Sequence, residues 1–428
     1  MVSLMKLRRK LEQMTTRRKI FFTVVILMLI QVAAHIPVPG VNSAYMQSLF
    51  DSGNGALGML NAMTGGAMGK MSLTAFGVTP YITASIIMQL MAIVIPKLDE
   101  IRREGKSGED WYNNVTYIVT LVLVLMQSIV MGIAFGKQGL LIEFKWYWIT
   151  LAVIIWTISS MGLVALGKVI EKYGMGNGIS LILTVNIISG FPADAVTIAT
   201  FIGNGKTLAR NAVISFMAVS LVLMIVAWVV VYNGAERAIV IQHSNKVNER
   251  YKRTSELPLK LNVANVVPVI FASTLFAIPP MITQFTGKGA WVTEFFNQNS
   301  WFRMSDPVKT VGLIGYAVLI ILFSYFYVSV IFNPLEVASN LQKSGATIHG
   351  IRPGKPTAEY IQKKTDHMIF LGSAFILVIV SIPCVINGIF GIGTNVSFLG
   401  TSLVIVVNVL LDTYKEIKAN AKYQLKLA

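Results

Sequence analysis

Residues whose type and spacing could do chemistry are few in this chain, and none forms a complete site. The segment "GNGKTLAR" holds Gly205, Lys206 and Thr207, the close of a phosphate-binding loop. The glycine that such a loop needs five positions before Gly205 is Thr200, so the phosphate cradle is missing. "GGAMGKM" fails differently: Gly65 stands one residue too close to Gly69, and Met71 replaces the hydroxyl that would hold magnesium. "YGMGNG", Tyr173 to Gly178, reads as a tight loop entering a helix. His35, His243, His349 and His367 are scattered with no i, i+4 pair, and Cys384 is the single cysteine. Neither a metal site nor a disulfide framework is expected from them. With no convergent Ser/His/Asp set either, the sequence predicts no catalytic residue, no metal and no cofactor.

The elements that must position any functional residue are apolar helices. Of 428 residues, 54% are hydrophobic and 13% charged, against about 25% charged in soluble domains. Ten runs approach the ~17–25 residues that cross a bilayer, near 20–36, 73–95, 115–135, 147–167, 179–198, 211–232, 263–286, 310–332, 367–387 and 398–412. The first has basic flanks and no small-residue cleavage site, so it reads as a retained span. With the N-terminus inside, 28 of the 36 Lys and Arg residues fall on the cytoplasmic side. That asymmetry puts both termini in the cytoplasm and accounts for most of the net charge of +16 without nucleic acid. No Asp, Glu, Lys or Arg lies well inside a span, whereas ion-coupled transporters mark their pathways with such charges. The spans carry instead Gln31, Gln89, Gln127, Asn186 and Asn408, which helix–helix hydrogen bonds can absorb.

An internal repeat organises the spans. "GVTPYITAS", Gly77 to Ser85, aligns with "NVVPVIFAS", Asn265 to Ser273, and "GISLILTVN", Gly178 to Asn186, with "GTSLVIVVN", Gly400 to Asn408. The first pair joins spans 2 and 7, the second spans 5 and 10. An offset of five spans is odd, so the halves have opposite topology. Ile82 then pairs with Ile270 and Leu183 with Ile405, while Asn186 and Asn408 are expected to face each other across a pore lining. The expected units are a basic tail over 1–19, halves over 20–200 and 201–412, and a tail over 413–428. Loops 233–260 and 333–366 are longer and more basic than topology needs and read as docking surfaces for a soluble partner. "LNAMTGGAMGKM", Leu60 to Met71, is too polar to cross a bilayer and too apolar for a solvated loop. From about 57 to 71 a short re-entrant helix lining a water-filled funnel is expected, since lipid would leave its backbone unsatisfied. Met59, Leu60, Met63 and Met68 would pack softly on aliphatic side chains, and Gly65, Gly66 and Gly69 would keep the segment loose.

"FGVTPYITASIIMQL", "YGMGNGIS", "NPLEVASNLQKSGATIHGIRPGKPT", "LGTSLVIVV" and "IPVPGVN" carry a resemblance to the SecY family, from about Arg17 to Asp412. The resemblance implies an all-α polytopic membrane protein with ten transmembrane helices in two inverted five-helix halves around an hourglass pore. It implies a channel that moves unfolded secretory polypeptides across the bacterial plasma membrane, and membrane segments sideways into it, driven by a separate motor. Val78, Ile82, Leu183, Ile187, Ile270 and Ile405 match the aliphatic ring that seals the waist. The segment with Leu60, Met63, Gly65, Gly66 and Met68 matches the plug, and spans 2, 3, 7 and 8 the lateral gate. Arg250, Lys252, Arg253, Arg352 and Lys355 lie in loops like those that bind the SecA motor or the ribosome, with Arg352 matching a functionally sensitive arginine. Implied partners are SecE and SecG-like small subunits, a SecA-type motor, the ribosome, secretory preproteins and lipid. "GKSGEDWYNNVTY" departs from the family by placing Glu109 and Asp110 where basic residues are usual, and Asn186 and Asn408 stand where it is mostly small or aliphatic. These departures leave two subtypes open, a general translocon or an accessory SecY with its own motor and few cargoes. The alternative from another class is an inverted-repeat small-molecule transporter; an intramembrane enzyme is disfavoured by the absence of acids within the spans.

Overall fold

The computed structural model of the chain describes residues 15–46, 61, 63–141, 144–203, 208–243, 254–286, 291, 295–296, 310–390 and 394–427. Each apolar run coincides with a helix: α1 Thr16–His35, α2 Thr79–Val94, α4 Lys106–Phe135, α5 Trp146–Tyr173, α6 Gly178–Gly203, α7 Leu208–Gly234, α8 Val267–Thr286, α9 Thr310–Ile331, α11 Lys355–Phe390 and α12 Thr394–Leu427. Two short helices, α3 Pro96–Arg103 and α10 Pro334–Lys343, and a π-helical turn over Gly136–Leu140 lie between them. By length and composition alone, five helices among the described residues can cross a bilayer, and six if α2 and α3 are one bent span. That bend is 112°. Ile95 is extended before Pro96, which cannot donate into the preceding turn, so α2 ends there. Helix α10 starts with Pro334 in its first turn and the Asn333 side chain accepting from the Leu335 N–H.

Helix pairing repeats at the five-span offset. In the first half α1 packs on α5 and α6, α2 on α4, α4 on α5, and α5 on α6. In the second, α7 packs on α11 and α12, α8 on α9, α9 on α11, and α11 on α12. The halves meet where repeat equivalents touch, α2 with α8 and α6 with α12, supplemented by α7 with α6 and α12 with α1. Outward faces stay apolar, with Phe21, Met28 and Val32 of α1 and Val219, Leu223 and Val231 of α7 all exposed, as a lipid-facing surface requires.

The structure is not purely α. The two long loops form a three-stranded antiparallel sheet of order β2-β1-β3, from β1 Glu236–His243, β2 Thr254–Lys260 and β3 Ala346–Ile348. β1 pairs along its length with β2, Ile239 opposite Leu257, and at its far end with β3, Ile241 opposite Ile348. Ile239, Leu259, Ile348 and Ile361 bury a small core beneath the sheet. Loops expected as separate docking surfaces are thus one folded module with its own apolar centre.

Candidate functional site

The interface between the halves is built from the two repeated segments. Gly77 and Asn265 both adopt φ +55, the left-handed region that glycine and asparagine tolerate best. The next residue then opens a helix: the Val78 carbonyl accepts from Tyr81 and Ile82, and the Val266 carbonyl from Val269 and Ile270. Pro80 and Pro268 occupy the same first-turn position. One local device therefore presents Val78 and Ile82 from α2, and Val266 and Ile270 from α8. The other repeat behaves alike. A Cβ on Gly178 would collide with the Gly167 carbonyl of α5, and one on Gly400 would stand 2.8 Å from the Ile379 carbonyl of α11. These close approaches set Leu183 on α6 and Ile405 on α12.

All six positions assigned to the ring come together. Val78, Ile82, Leu183, Ile187 and Ile405 are buried in one contiguous apolar cluster, and half-buried Ile270 packs against it. Met63 joins the same cluster, so part of the glycine-loosened segment is packed into the core that holds these residues. Met68 does not: it packs with Val38, Met46, Met71, Phe76, Met131 and Trp156 in a second cluster. There the Trp156 indole N–H donates to the Ser72 carbonyl at 3.2 Å. From Thr64 the segment is a run of turns rather than the expected re-entrant helix. Gly65 and Gly66 at φ +68 and +82 explain why, since helical φ is negative. Leu60, with Met59 and the rest of 47–60, lies outside the described residues.

Asn186 and Asn408 are corrected. They are 3% and 1% exposed and belong to separate helix contacts rather than facing each other. Asn186 Oδ1 accepts from Gln31 Nε2 of α1 at 3.0 Å. Asn408 Oδ1 accepts from Asn233 Nδ2 of α7, and Asn233 Oδ1 accepts from Asn262 at 2.7 Å. Each of these side-chain oxygens thus finds a donor, as a polar acceptor away from water must. The sequence had shown these as repeat equivalents, and their partners are equivalents too: α1 and α7 are the first spans of the two halves.

A cavity of about 450 Å³ opens between the halves, lined by Thr79, Thr83 and Ile87 of α2, Gln127 of α4, and Thr274 and Ile278 of α8, among others. Its wall is mostly apolar, with Thr64 and Met68 of the glycine-rich segment closing one end. The docking-loop candidates divide. Arg352 and Lys355 are exposed at a turn where Gly350 and Gly354 take φ +76 and +96, and Thr357 Oγ1 donates to the Arg352 carbonyl at 2.8 Å. Arg250, Lys252 and Arg253 lie outside the described residues. Among the described residues no group of His, Cys, Asp and Glu is placed to hold a metal.

Comparison with known proteins matches this architecture. The SecY family model matches residues 72–414. Protein translocase subunit SecY of Staphylococcus aureus (strain NCTC 8325 / PS 47) is 37% identical over 414 residues, covering 94% of each chain. A solved SecY channel, whose plug domain is described as stabilising the closed state and maintaining a membrane seal, superposes with a TM-score of 0.67 at 18% identity, covering 96% of this chain and 93% of that one. Sec61 in the canine ribosome-channel complex from the endoplasmic reticulum superposes at 0.64 with 16% identity over the same shares. With four-fifths of its length under the family model and a relative above one-third identity, the chain belongs to the SecY family.

Proposed function

We infer that this chain is a protein-conducting channel, through which unfolded polypeptides cross the membrane and apolar segments pass sideways into it. The observation that carries this reading is the meeting of α2 with α8 and α6 with α12, each bringing aliphatic residues to one buried cluster at the boundary of the halves. Val78, Ile82, Leu183, Ile187, Ile270 and Ile405 form the seal in this reading, because a ring of flexible aliphatic side chains closes without hydrogen bonds and re-forms around any sequence. The segment around Gly65 is the plug, and the cavity bounded by α2, α4 and α8 is the closed lateral gate. The membrane is the bacterial plasma membrane, with both termini and the sheet module in the cytoplasm, as the lysine and arginine distribution supports.

The channel carries no nucleotide-binding residues in its sequence, so the work of translocation belongs to a SecA-type motor docking on the module around Arg352, or to a ribosome. SecE and SecG-like subunits would cover outward apolar faces. Glu109 and Asp110 stand in the first turns of α4, where negative charge suits the helix dipole, so the departure from the basic pattern has a local cause and favours the general translocon. Reconstitution in proteoliposomes tests the function. A secretory precursor should stimulate the motor's ATPase only when the channel is present, and reach the lumen. Uptake of a small solute without any polypeptide requirement would establish the transporter reading instead.

A further inference from the structure

The plug rests on one turn of α6, and the residues of that turn are tied elsewhere. Gly65 has φ +68, and a Cβ there would collide with the Asn186 carbonyl, so glycine is required both by conformation and by space. Three residues on, Ser189 Oγ donates to the Gly65 carbonyl at 3.4 Å. The knob bearing Gly65 is stiff: Gly69 N–H donates to Asn61 Oδ1 at 2.7 Å, Thr64 Oγ1 to the Asn61 carbonyl at 3.0 Å, and Met68 N–H to Thr64 Oγ1 at 3.2 Å. Asn186, against whose backbone this knob lies, is clasped to α1 by Gln31. The second half repeats the clasp between α12 and α7 through Asn408 and Asn233. A clasp joining first and last spans is therefore a device of the fold, and the first half puts its asparagine against the plug.

We propose that Asn186 is the positioning residue of the closed channel: the Gln31 clasp fixes α6 at the depth where its backbone receives Gly65, and movement between α1 and α6 releases the plug. This rests on the plug reading, and the experiment separates the two. Full-length channel with its small subunits carries Ala67→Cys in a Cys384→Ser background, Ala67 being 1% exposed and Cys384 the only native thiol. The readouts are labelling of position 67 by an impermeant maleimide added from the outer face, and ion leak of the idle channel. Asn186→Leu and the milder Gln31→Leu should each speed labelling about fivefold or more, the shift expected for one lost net hydrogen bond, and Gly65→Ala at least as much by crowding the Asn186 carbonyl. The exchanged pair Gln31→Asn with Asn186→Gln keeps the combined reach and should restore slow labelling. Asn233→Leu, which breaks the mirror clasp, should lower thermal stability and leave labelling slow. Parental labelling in Gly65→Ala, or equal acceleration by Asn186→Leu and Asn233→Leu, overturns the proposal. Deleting 58–70 tests the plug itself: no leak from the deletion refutes the plug, whereas leak from the deletion without acceleration in the point variants refutes only the seat.

Discussion

Arg352 shows how much a single side chain depends on its turn. Glycines at 350 and 354 take left-handed φ, and the Thr357 hydroxyl pins the Arg352 carbonyl, leaving the guanidinium in solvent. A planar cation held outward suits bidentate contact with a partner's carboxylates. Arg352→Glu should therefore abolish precursor-stimulated ATPase while leaving membrane insertion and subunit assembly unchanged; normal export by that variant would remove Arg352 from the docking surface. Trp156 is the opposite case, fully buried, with its ring edge-on to Phe76 at 5.6 Å and its N–H on the Ser72 carbonyl. Trp156→Phe removes one of the two donors to that carbonyl, the Ala75 N–H remaining, and costs about 0.5–1.5 kcal/mol. The expected result is a lower unfolding midpoint in detergent and faster labelling of a cysteine at position 67; an unchanged midpoint would mean water or a neighbour replaces the donor. At this scale the sequence was a mixed guide. That the six positions proposed as the ring would share one apolar cluster was legible because repeat and family motifs converge on them. The partners of Asn186 and Asn408 were not, because a repeat relates equivalent residues without saying which neighbour each one bonds.

Elements were legible in proportion to how local their causes are. Ten helices follow from apolar runs, whereas the starts of α2 and α8, set by Gly77-Val78 and Asn265-Val266 ahead of a proline, lie several residues inside the runs expected from 73 and 263. The strands did not announce themselves. β1, "ERAIVIQH", lies in a charged loop, and its pairing with the three-residue β3 joins segments about a hundred residues apart. Such non-local pairing leaves little trace in either segment alone. The turns from Thr64 onward were missed for a related reason: the segment's methionines suit a helix, and two positive-φ glycines override them. If the sheet is one cooperative unit, its buried centre should be its weak point. Ile348, 5% exposed, packs in an apolar cluster with Ile239, Leu259 and Ile361. An ionised carboxylate in such a place costs several kcal/mol. Ile348→Asp should open the module, seen as faster tryptic cleavage at Arg237 and Lys260 and loss of motor stimulation, with resting ion leak unchanged. An unaltered digest would show that the strands hold without their shared core.

On the scale of the whole molecule, two inverted halves press together along α2 with α8 and α6 with α12. The same helices carry Ile82, Ile270, Leu183 and Ile405, so under the proposed channel reading widening the seal and parting the halves would be one motion. Under that reading the parting would begin at the cavity of about 450 Å³ lined by α2, α4 and α8, whose walls are mostly apolar. A transmembrane helix leaving sideways needs a gap of about 10–12 Å, the diameter of a helix with its side chains. A short tether across this cavity should forbid both exits. Thr83 and Ile278 line it from opposite halves, so Thr83→Cys with Ile278→Cys in the Cys384→Ser background places two thiols for a short bismaleimide. The bridged channel should neither export a secretory polypeptide nor insert a membrane segment, and its ion leak should stay at the resting level, because the seal is held shut and not distorted. Export should return when a cleavable bridge is cut. Lateral insertion through the bridged channel would place the gate elsewhere than between α2 and α8, while loss of export with a raised leak would mean that the tether pulls the ring open and that the two motions are separate.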